Sequence, residues 1–387
     1  MPWRRTEPMN ERLLFLAAHQ EGGYTMTELC ERFGISRKTG YKWLARSHEQ
    51  GLDGLRERSR APKHHPNQTA QDLVTLVVQA RDKHPTWGAA KLRDWLHAHH
   101  EELRERLPSA STIGAILSRE GKIQPRPKRR RWPHTASKLL QAATANAVWA
   151  TDFKGQFRTQ DGVECFPLTV SDGYSRYLLA CVGLESVAGA GVEPIFVRLF
   201  KEYGLPEAIR TDNGSPFASS AIGGLSKLNV WWTKLGIQHQ RIAPGRPEQN
   251  GRHERMHRTL KAETTRPPQR DMSEQQKRFD LWRQEYNEER PHAALLGRVP
   301  GALYITSVRP YPSQLPAPTY PGHYEVRQVS GSGMFRFKKE QIFLSQALIK
   351  EEIGLEEIDD GVWSVYFYDV LLARLDERDF VLRPGSP

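Results

Sequence analysis

The stretch Arg126-Pro127-Lys128-Arg129-Arg130-Arg131-Trp132-Pro133 places five cationic side chains and two prolines within eight residues. Proline removes a backbone donor and fixes φ, and adjacent like charges repel, so no folded core runs through such a segment. The chain must therefore fold as separate bodies on either side. We read 124–147 as a basic linker whose Lys128, Arg129, Arg130 and Arg131 would lie along a phosphate backbone where one is present. The same bias runs through the 387 residues: 56 Lys and Arg oppose 45 Asp and Glu, a formal charge of +11, which points to a polyanionic partner, nucleic acid first. Cys30, Cys165 and Cys181 form no Cys-x-x-Cys pair, which excludes a disulfide framework or a cysteine-rich zinc site. No stretch approaches the roughly 20 apolar residues of a membrane span, and a soluble cytoplasmic protein is expected.

Before the linker the pattern is helical. The spacing predicts a helix over Asn10 to Ala18, a second from Met26 to Phe33 behind the capping Thr25, and a Gly34 turn. A third helix is capped by Ser36, with Arg37, Lys38 and Lys42 on its exposed side. A short helix, a glycine turn and a basic helix are the punctuation of a helix-turn-helix, whose last helix enters a major groove. We assign this module to 1–51, with a basic linker over 52–68. The grammar repeats over 69–123, with helices predicted at Leu73 to Lys83, Gly88 to His99 and Ser111 to Arg119, so two tandem DNA-reading modules are expected. His64-His65 and His99-His100 have no partner cysteines and read as surface histidines.

After the linker, period-two alternation appears. Strands are predicted at Val148 to Phe157, Cys165 to Val170 and Tyr177 to Gly183, then a helix over Ala188 to Tyr203 and a strand at Pro206 to Thr211. A helix around Gly224 to Leu235, a strand at Ile237 to Ile242 and a basic helix from Gln249 follow. Asp152 sits inside the first strand, where aspartate is poorly suited. Asp212 opens Asp212-Asn213-Gly214, an ordinary turn. Two aspartates at strand positions and Glu254 on a following helix make a constellation able to hold two magnesium ions, because hard cations take carboxylate oxygens.

Thr151-Asp152, Thr211-Asp212-Asn213-Gly214 and Asn250-Gly251-Arg252-His253-Glu254-Arg255 together resemble the D-D-E signature of bacterial insertion-sequence transposases with a retroviral-integrase-type catalytic core. Asp172-Gly173-Tyr174-Ser175-Arg176-Tyr177 and Tyr286-Asn287-Glu288-Glu289-Arg290-Pro291-His292 resemble the same family. The resemblance implies a ribonuclease-H-like core over 148–299. It also implies magnesium-dependent nicking of element ends, manganese being able to substitute, and then attack of the freed 3′-hydroxyl on target DNA. Asp152, Asp212 and Glu254 would be both catalytic and metal-binding. The partners would be double-stranded DNA, as terminal inverted repeats and target, and a second copy of the chain, in the bacterial cytoplasm at the nucleoid.

The family often leaves 35 residues between the second aspartate and the glutamate, a count that falls here on Glu248 (248 − 212 − 1 = 35). The Asn-Gly-x-x-Glu-Arg pattern selects Glu254 instead (254 − 212 − 1 = 41), with Ser219 to Ser226 as the inserted loop. Glu248 then reads as a helix-start residue. Asp172 and Arg176 read as hairpin-turn residues. Arg252, Arg255, Arg258 and Lys261 read as phosphate contacts beside the acids. His253 and His257 stand at i, i+4 but lack the His-Glu-x-x-His order of zinc sites. Ser273 is expected to cap a helix through Glu288. A proline-rich linker over 300–322 leads to 323–387, where short strands at Tyr324 to Val329, Met334 to Phe337, Ile342 to Leu344, Val362 to Tyr368 and Val370 to Leu375 predict a small β-barrel. Glu351, Glu352, Glu356, Glu357, Asp359 and Asp360 make part of it acidic, a face for protein or solvent. The expectation is a multidomain α+β chain of tandem helix-turn-helix modules, a ribonuclease-H-like α/β/α core and a terminal barrel. The alternatives are a catalytically silent DNA-binding regulator and a ribonuclease-H-type nuclease.

Overall fold

The computed structural model describes residues 8–58, 68–123, 140–219, 224–243 and 251–384. Lys128 to Arg131, His64-His65 and Glu248 lie outside the described residues. Two compact units are present, Met1–Gln68 and Thr69–Pro387.

In the first unit, α1 (Pro8–Gln20), α2 (Met26–Arg32) and α3 (Arg37–Gln50) close around Phe15, Leu16, Leu29, Cys30, Trp43 and Leu55. Both expected caps form. Thr25 and Glu28 make a reciprocal capping box, and the Ser36 hydroxyl accepts from the Thr39 amide at 3.2 Å. Arg37, Lys38 and Lys42 are exposed on α3, with the Lys42 ammonium 4.2 Å from the Trp43 ring centre. Helices α2 and α3 cross closely at Gly40, where an added Cβ would stand 2.8 Å from the Cys30 sulfur and 3.0 Å from the Phe15 ring.

The second unit starts with α4 (Gln71–Lys83), α5 (Ala89–His99) and α6 (Ala110–Arg119), which bury Leu73, Val77, Trp87, Leu92, Trp95, Leu96 and Ile113. Ser109 caps α6 by accepting from the Thr112 amide at 3.2 Å. His99 stacks on Trp95 with ring centres 4.3 Å apart, and its exposed ring has no metal partner among the described residues.

The central sheet comprises β1 (Val148–Phe153), β2 (Phe157–Arg158), β3 (Glu164–Asp172), β4 (Leu178–Leu184), β5 (Ala208–Thr211) and β6 (Gln238–Arg241). Strand order is β2-β3-β1-β5-β6, with β4 paired to β3. β1, β3 and β4 pair antiparallel, whereas β1-β5 and β5-β6 are parallel, as the crossover through α7 (Gly189–Tyr203) requires. α7 and α8 (Lys227–Lys234) cover one face, against Trp149, Leu168, Val170 and Ile209. α9 (Gly251–Thr264) and α10 (Met272–Glu288) cover the other, where Met256, Leu260, Phe279 and Trp282 pack on Cys165, Leu178 and Cys181. The result is a mixed sheet between two helical layers. The cap of α10 is Asp271, whose carboxylate accepts from the Glu274 amide at 2.9 Å, so Ser273 lies inside the helix it was expected to start.

At the C-terminus, β7 (Glu325–Gln328), β8 (Met334–Phe337), β9 (Glu340–Phe343), β10 (Glu352–Asp359), β11 (Val362–Phe367), β12 (Val370–Asp376) and β13 (Val381–Pro384) form an antiparallel sheet, β13-β12-β11-β10-β7, and a β8-β9 hairpin. The edge strands β13 and β7 do not pair, so the expected barrel is not closed by hydrogen bonds. The core is covered in part by Leu225 and Val230 from the α8 region, and Lys234 pairs with Glu351 at 2.8 Å. Most of the acidic run forms β10, a strand the sequence reading did not anticipate, with Glu352, Glu357 and Asp359 exposed.

Candidate active site

The parallel β1-β5 register sets Ala150 opposite Arg210. Side chains two residues on share a face, so Asp152 and Asp212, the latter just past the end of β5, come side by side on the face covered by α9. Asp212 also holds the predicted turn, its Oδ1 accepting from the Gly214 amide at 3.0 Å while Asn213 donates to the Ile242 carbonyl at 2.8 Å. Burial and then the neighbouring Asp212 charge, with Glu254 adding less, push the Asp152 carboxyl up to about 7, although the Phe153 amide and Lys154 pull it down. A carboxylate raised first by burial and then by neighbouring acids suits a site that holds a cation.

Glu254 is exposed on α9, one turn before His257. The two histidines seat that helix. The Thr169 hydroxyl donates its proton to the Asp152 carbonyl at 3.1 Å, so it can only accept from the Nε2–H groups of His253 at 2.7 Å and His257 at 2.6 Å. Both imidazoles then carry a bare Nδ1. That of His253 accepts from the Ser171 hydroxyl at 3.0 Å, and that of His257 stands 3.7 Å from Asp152 Oδ2. Burial lowers His253 to about 3 and also lowers His257, so both rings are neutral near pH 7. Their i, i+4 spacing thus serves to dock α9 on the sheet. Among the described residues no three His, Cys, Asp or Glu side chains converge as a metal cage. The aspartate pair and Glu254 are electrostatic neighbours, and their donor set of hard carboxylate oxygens suits magnesium far better than zinc.

Of the predicted cations, Arg252, Arg255, Arg258 and Lys261 all lie exposed on α9, and the Arg252 guanidinium donates to the Gly173 carbonyl at 3.1 Å. Asp172 is the turn residue expected: its carboxylate accepts from the Asn146 amide at 2.8 Å and from the Ser175 amide and hydroxyl at 2.7 and 2.6 Å. Arg176 is not held by that carboxylate.

Sequence reasoning missed a buried ion pair behind α9. Arg290 binds Glu263 through two nitrogens, at 2.6 and 3.0 Å, and the same carboxylate accepts from the Trp282 indole at 2.6 Å and from the Thr86 hydroxyl. Burial works to raise Glu263, but the Arg290 hydrogen bonds and charge, with Thr86 and Trp282, hold it below the usual range. Thr86 belongs to the second helical module, so the network ties that module to the catalytic face. The Trp282 and Tyr286 stripe on α10, one turn apart, was the available signal that this face is covered.

Five family models match the chain. Two described as Integrase core domain cover residues 142–247 and 235–300, a Helix-turn-helix domain covers 11–63, a Homeodomain-like domain covers 39–117, and the IS481 family transposase C-terminal domain covers 324–379. A 39.2 kDa protein of insertion element IS476 from Xanthomonas euvesicatoria is 27% identical over 314 residues, 78% of this chain and 84% of the relative. A 31.7 kDa protein of insertion element IS407 from Burkholderia multivorans is 26% identical over 245 residues, 59% of this chain and 79% of its own length. Among solved structures, the catalytic core domain of HTLV-2 integrase in complex with magnesium aligns over 42% of this chain and 99% of its own, at 14% identity and a TM-score of 0.34. The sequence matches run from the N-terminal helices through the central sheet to the terminal strands, and they make this chain similar to insertion-element proteins, with matches to helix-turn-helix, integrase core and IS481 transposase C-terminal domains.

Proposed function

We propose that the chain binds the terminal inverted repeats of its insertion element, nicks the element ends and joins them to target DNA. The observation that carries this reading is the β1-β5 register, which brings Asp152 and Asp212 from distant sequence onto one face, where burial and then the Asp212 charge raise Asp152. Asp152, Asp212 and Glu254 would hold two magnesium ions, or manganese in their place. Bound there, the metal would polarise the scissile phosphodiester and lower the pKa of an attacking water.

The chain's own residues do the rest. The sheet fixes the two aspartates, and the Thr169 hydroxyl fixes the rotation of α9 and hence the approach of Glu254. Arg252, Arg255, Arg258 and Lys261 hold backbone phosphates, while Arg37, Lys38 and Lys42 on α3 reach the groove of the repeat. Lys128 to Arg131 track the phosphates between the helical and catalytic segments. Water opens the phosphodiester at the element end and leaves a 3′-hydroxyl. That hydroxyl then attacks a target phosphodiester, and the target's own 3′-oxygen leaves with the proton. Joining two ends at once calls for at least a dimer on DNA, acting at the bacterial nucleoid. The segments assigned from sequence, with the catalytic core over 148–299, are the working division of labour.

The test is incubation of the full chain with magnesium and duplex ends of its own element. Nicked and strand-joined products are expected. Bound DNA that is never cut would overturn the enzymatic reading in favour of a regulator, and cleavage confined to RNA strands of hybrids would favour a nuclease of the ribonuclease-H type. Glu254→Gln should abolish both steps while leaving binding intact, whereas Glu248→Gln should retain activity.

A further inference from the structure

Within the second unit, a groove of about 690 Å³ runs between α9, the start of α5 and the segment after α10. Its walls include Lys91, Arg176, Arg252, Arg255, Arg258 and Arg290. Glu263 also lines it, but that carboxylate is committed to Arg290, Thr86 and Trp282. Asp172, nearest to Arg176 in sequence, is spent on the Asn146 and Ser175 donors. Among the described residues neither Arg176 nor Lys91 forms an ion pair. Both are nonetheless crowded by other cations. Burial, then Arg252 and Arg255 against the weaker pull of Tyr286 and Asp172, lower the Arg176 guanidinium to about 10. Burial and Arg290 lower Lys91 to about 8.

A solvated basic face behaves differently, because its side chains spread into water and do not disturb one another. Here two half-buried cations, Arg176 and Lys91, line an open channel whose lining carboxylate, Glu263, is already bonded to Arg290, and Arg176 holds a left-handed backbone, φ 68°, that side chains other than glycine seldom adopt. Such an arrangement costs stability unless an anion occupies it. The groove begins where Arg176 and Arg252 meet beside Ser171 and Arg210, on the same face as Asp152 and Asp212, and it ends at Lys91 in the second helical module.

We propose that this groove is a phosphate track shared by the second helical module and the catalytic face, in which Arg176 and Lys91 grip successive backbone phosphates of the DNA strand that leads to the acids. The inference rests on the transposase reading and adds two positioning residues and a path. The second module then acts as a wall of the substrate channel as well as a reader of sequence. Because the track recognises phosphates, it is indifferent to base sequence.

The test measures binding of the full chain, in EDTA, to a fluorescein-labelled duplex of unrelated sequence across a salt series. Arg176→Gln and Lys91→Gln are each expected to reduce the slope of log K against log salt by about 1, the signature of one lost phosphate contact. Arg176→Lys should keep the slope, and Arg270→Gln, which removes an 83% exposed cation outside the groove, should leave it unchanged. Thermal melts of each variant identify any that merely fail to fold. Slopes for Arg176→Gln and Lys91→Gln that match wild type in folded protein would overturn the proposal. Since no metal is present, the two readings fail separately: a wild type that binds through these residues but never nicks leaves the track standing, and one that nicks while its salt slope ignores both residues removes the track alone.

Discussion

The two helical modules share one punctuation and differ in what holds them. The first closes on itself: Arg12 lies 3.9 Å over the Trp43 ring, donates to the Leu55 carbonyl at 2.7 Å and reaches Glu57 at the surface. The second has a comparable apolar core, yet its Thr86, Lys83 and His84 face Glu263, Glu289 and Glu285 of the catalytic region. The same fold motif is thus closed by its own contacts in one place and bonded to α9 and α10 in the other. Only tertiary polar contacts distinguish them.

Acid should separate the two most sharply. Burial, the first cause in every case, lowers His84 and His239 to about 4 and His253 and His292 to about 3, and it lowers His257 as well. A histidine depressed in the fold is neutral there while the unfolded chain takes up a proton, so stability is lost as pH falls from about 6.5 towards 4. Asp152 works in the opposite sense, because its raised carboxyl takes up a proton in the fold first. Five histidines less one carboxyl leave about four protons, a loss of at most about 5 kcal/mol per pH unit. The first unit's described histidines, His19 and His48, are exposed. Segment-resolved hydrogen exchange, corrected for intrinsic rates, should therefore show 71–119 and the central sheet opening near pH 5 while 8–58 stays protected. Equal loss in both would break the distinction.

Arg290→Met comes next in size. It strands the Glu263 carboxylate in a buried site and should cost the second unit about 3–5 kcal/mol. Adding Glu263→Leu to it should recover most of that in denaturant melts. Arg12→Met, whose partner Glu57 is 55% exposed, should cost only about 1 kcal/mol. A further pair compares the helix crossings. Gly40→Ala drives a methyl onto Cys30 and Phe15 and should cost about 1–3 kcal/mol. Gly114→Ala, whose new Cβ meets only Ala89 at 3.9 Å, should gain about 0.5–1 kcal/mol from helix propensity. A loss at Gly114 would show that the second module is packed as tightly as the first.

Local signals carried well from sequence to structure. Thr25 and Ser36 cap the helices they were expected to cap, because a capping hydroxyl needs only its own next three residues. Period-two alternation found β1, β3 and β4 to within a residue or two, apart from an overlong end to β1. Everything that depends on distant partners stayed hidden. Nothing in the sequence pairs Glu263 with Arg290, 27 residues further on. His253 and His257 looked like a weak metal spacing, since nothing local says that Thr169 waits beneath them. Arg176 is the turn residue expected, its amide donating to the Asp172 carbonyl at 3.1 Å, but nothing local shows that its side chain lines a groove. The open terminal sheet was illegible for the same reason: strand spacing does not tell whether β13 meets β7.

The adjacency of β1 and β5 has one more consequence, for how sequences of this kind are aligned. The strands that carry Asp152 and lead to Asp212 pair laterally from Val148 to Ala150 and from Ala208 to Arg210, and Glu254 arrives on a helix clamped independently by the Thr169 hydroxyl. The number of residues between the second and third acids is therefore slack in the geometry. Lengthening a loop is penalised only logarithmically, about 0.6 kcal/mol per doubling. A connection between the second and third acids can thus differ in length while the acids keep their places, and a fixed interval is an unreliable ruler for finding the third one.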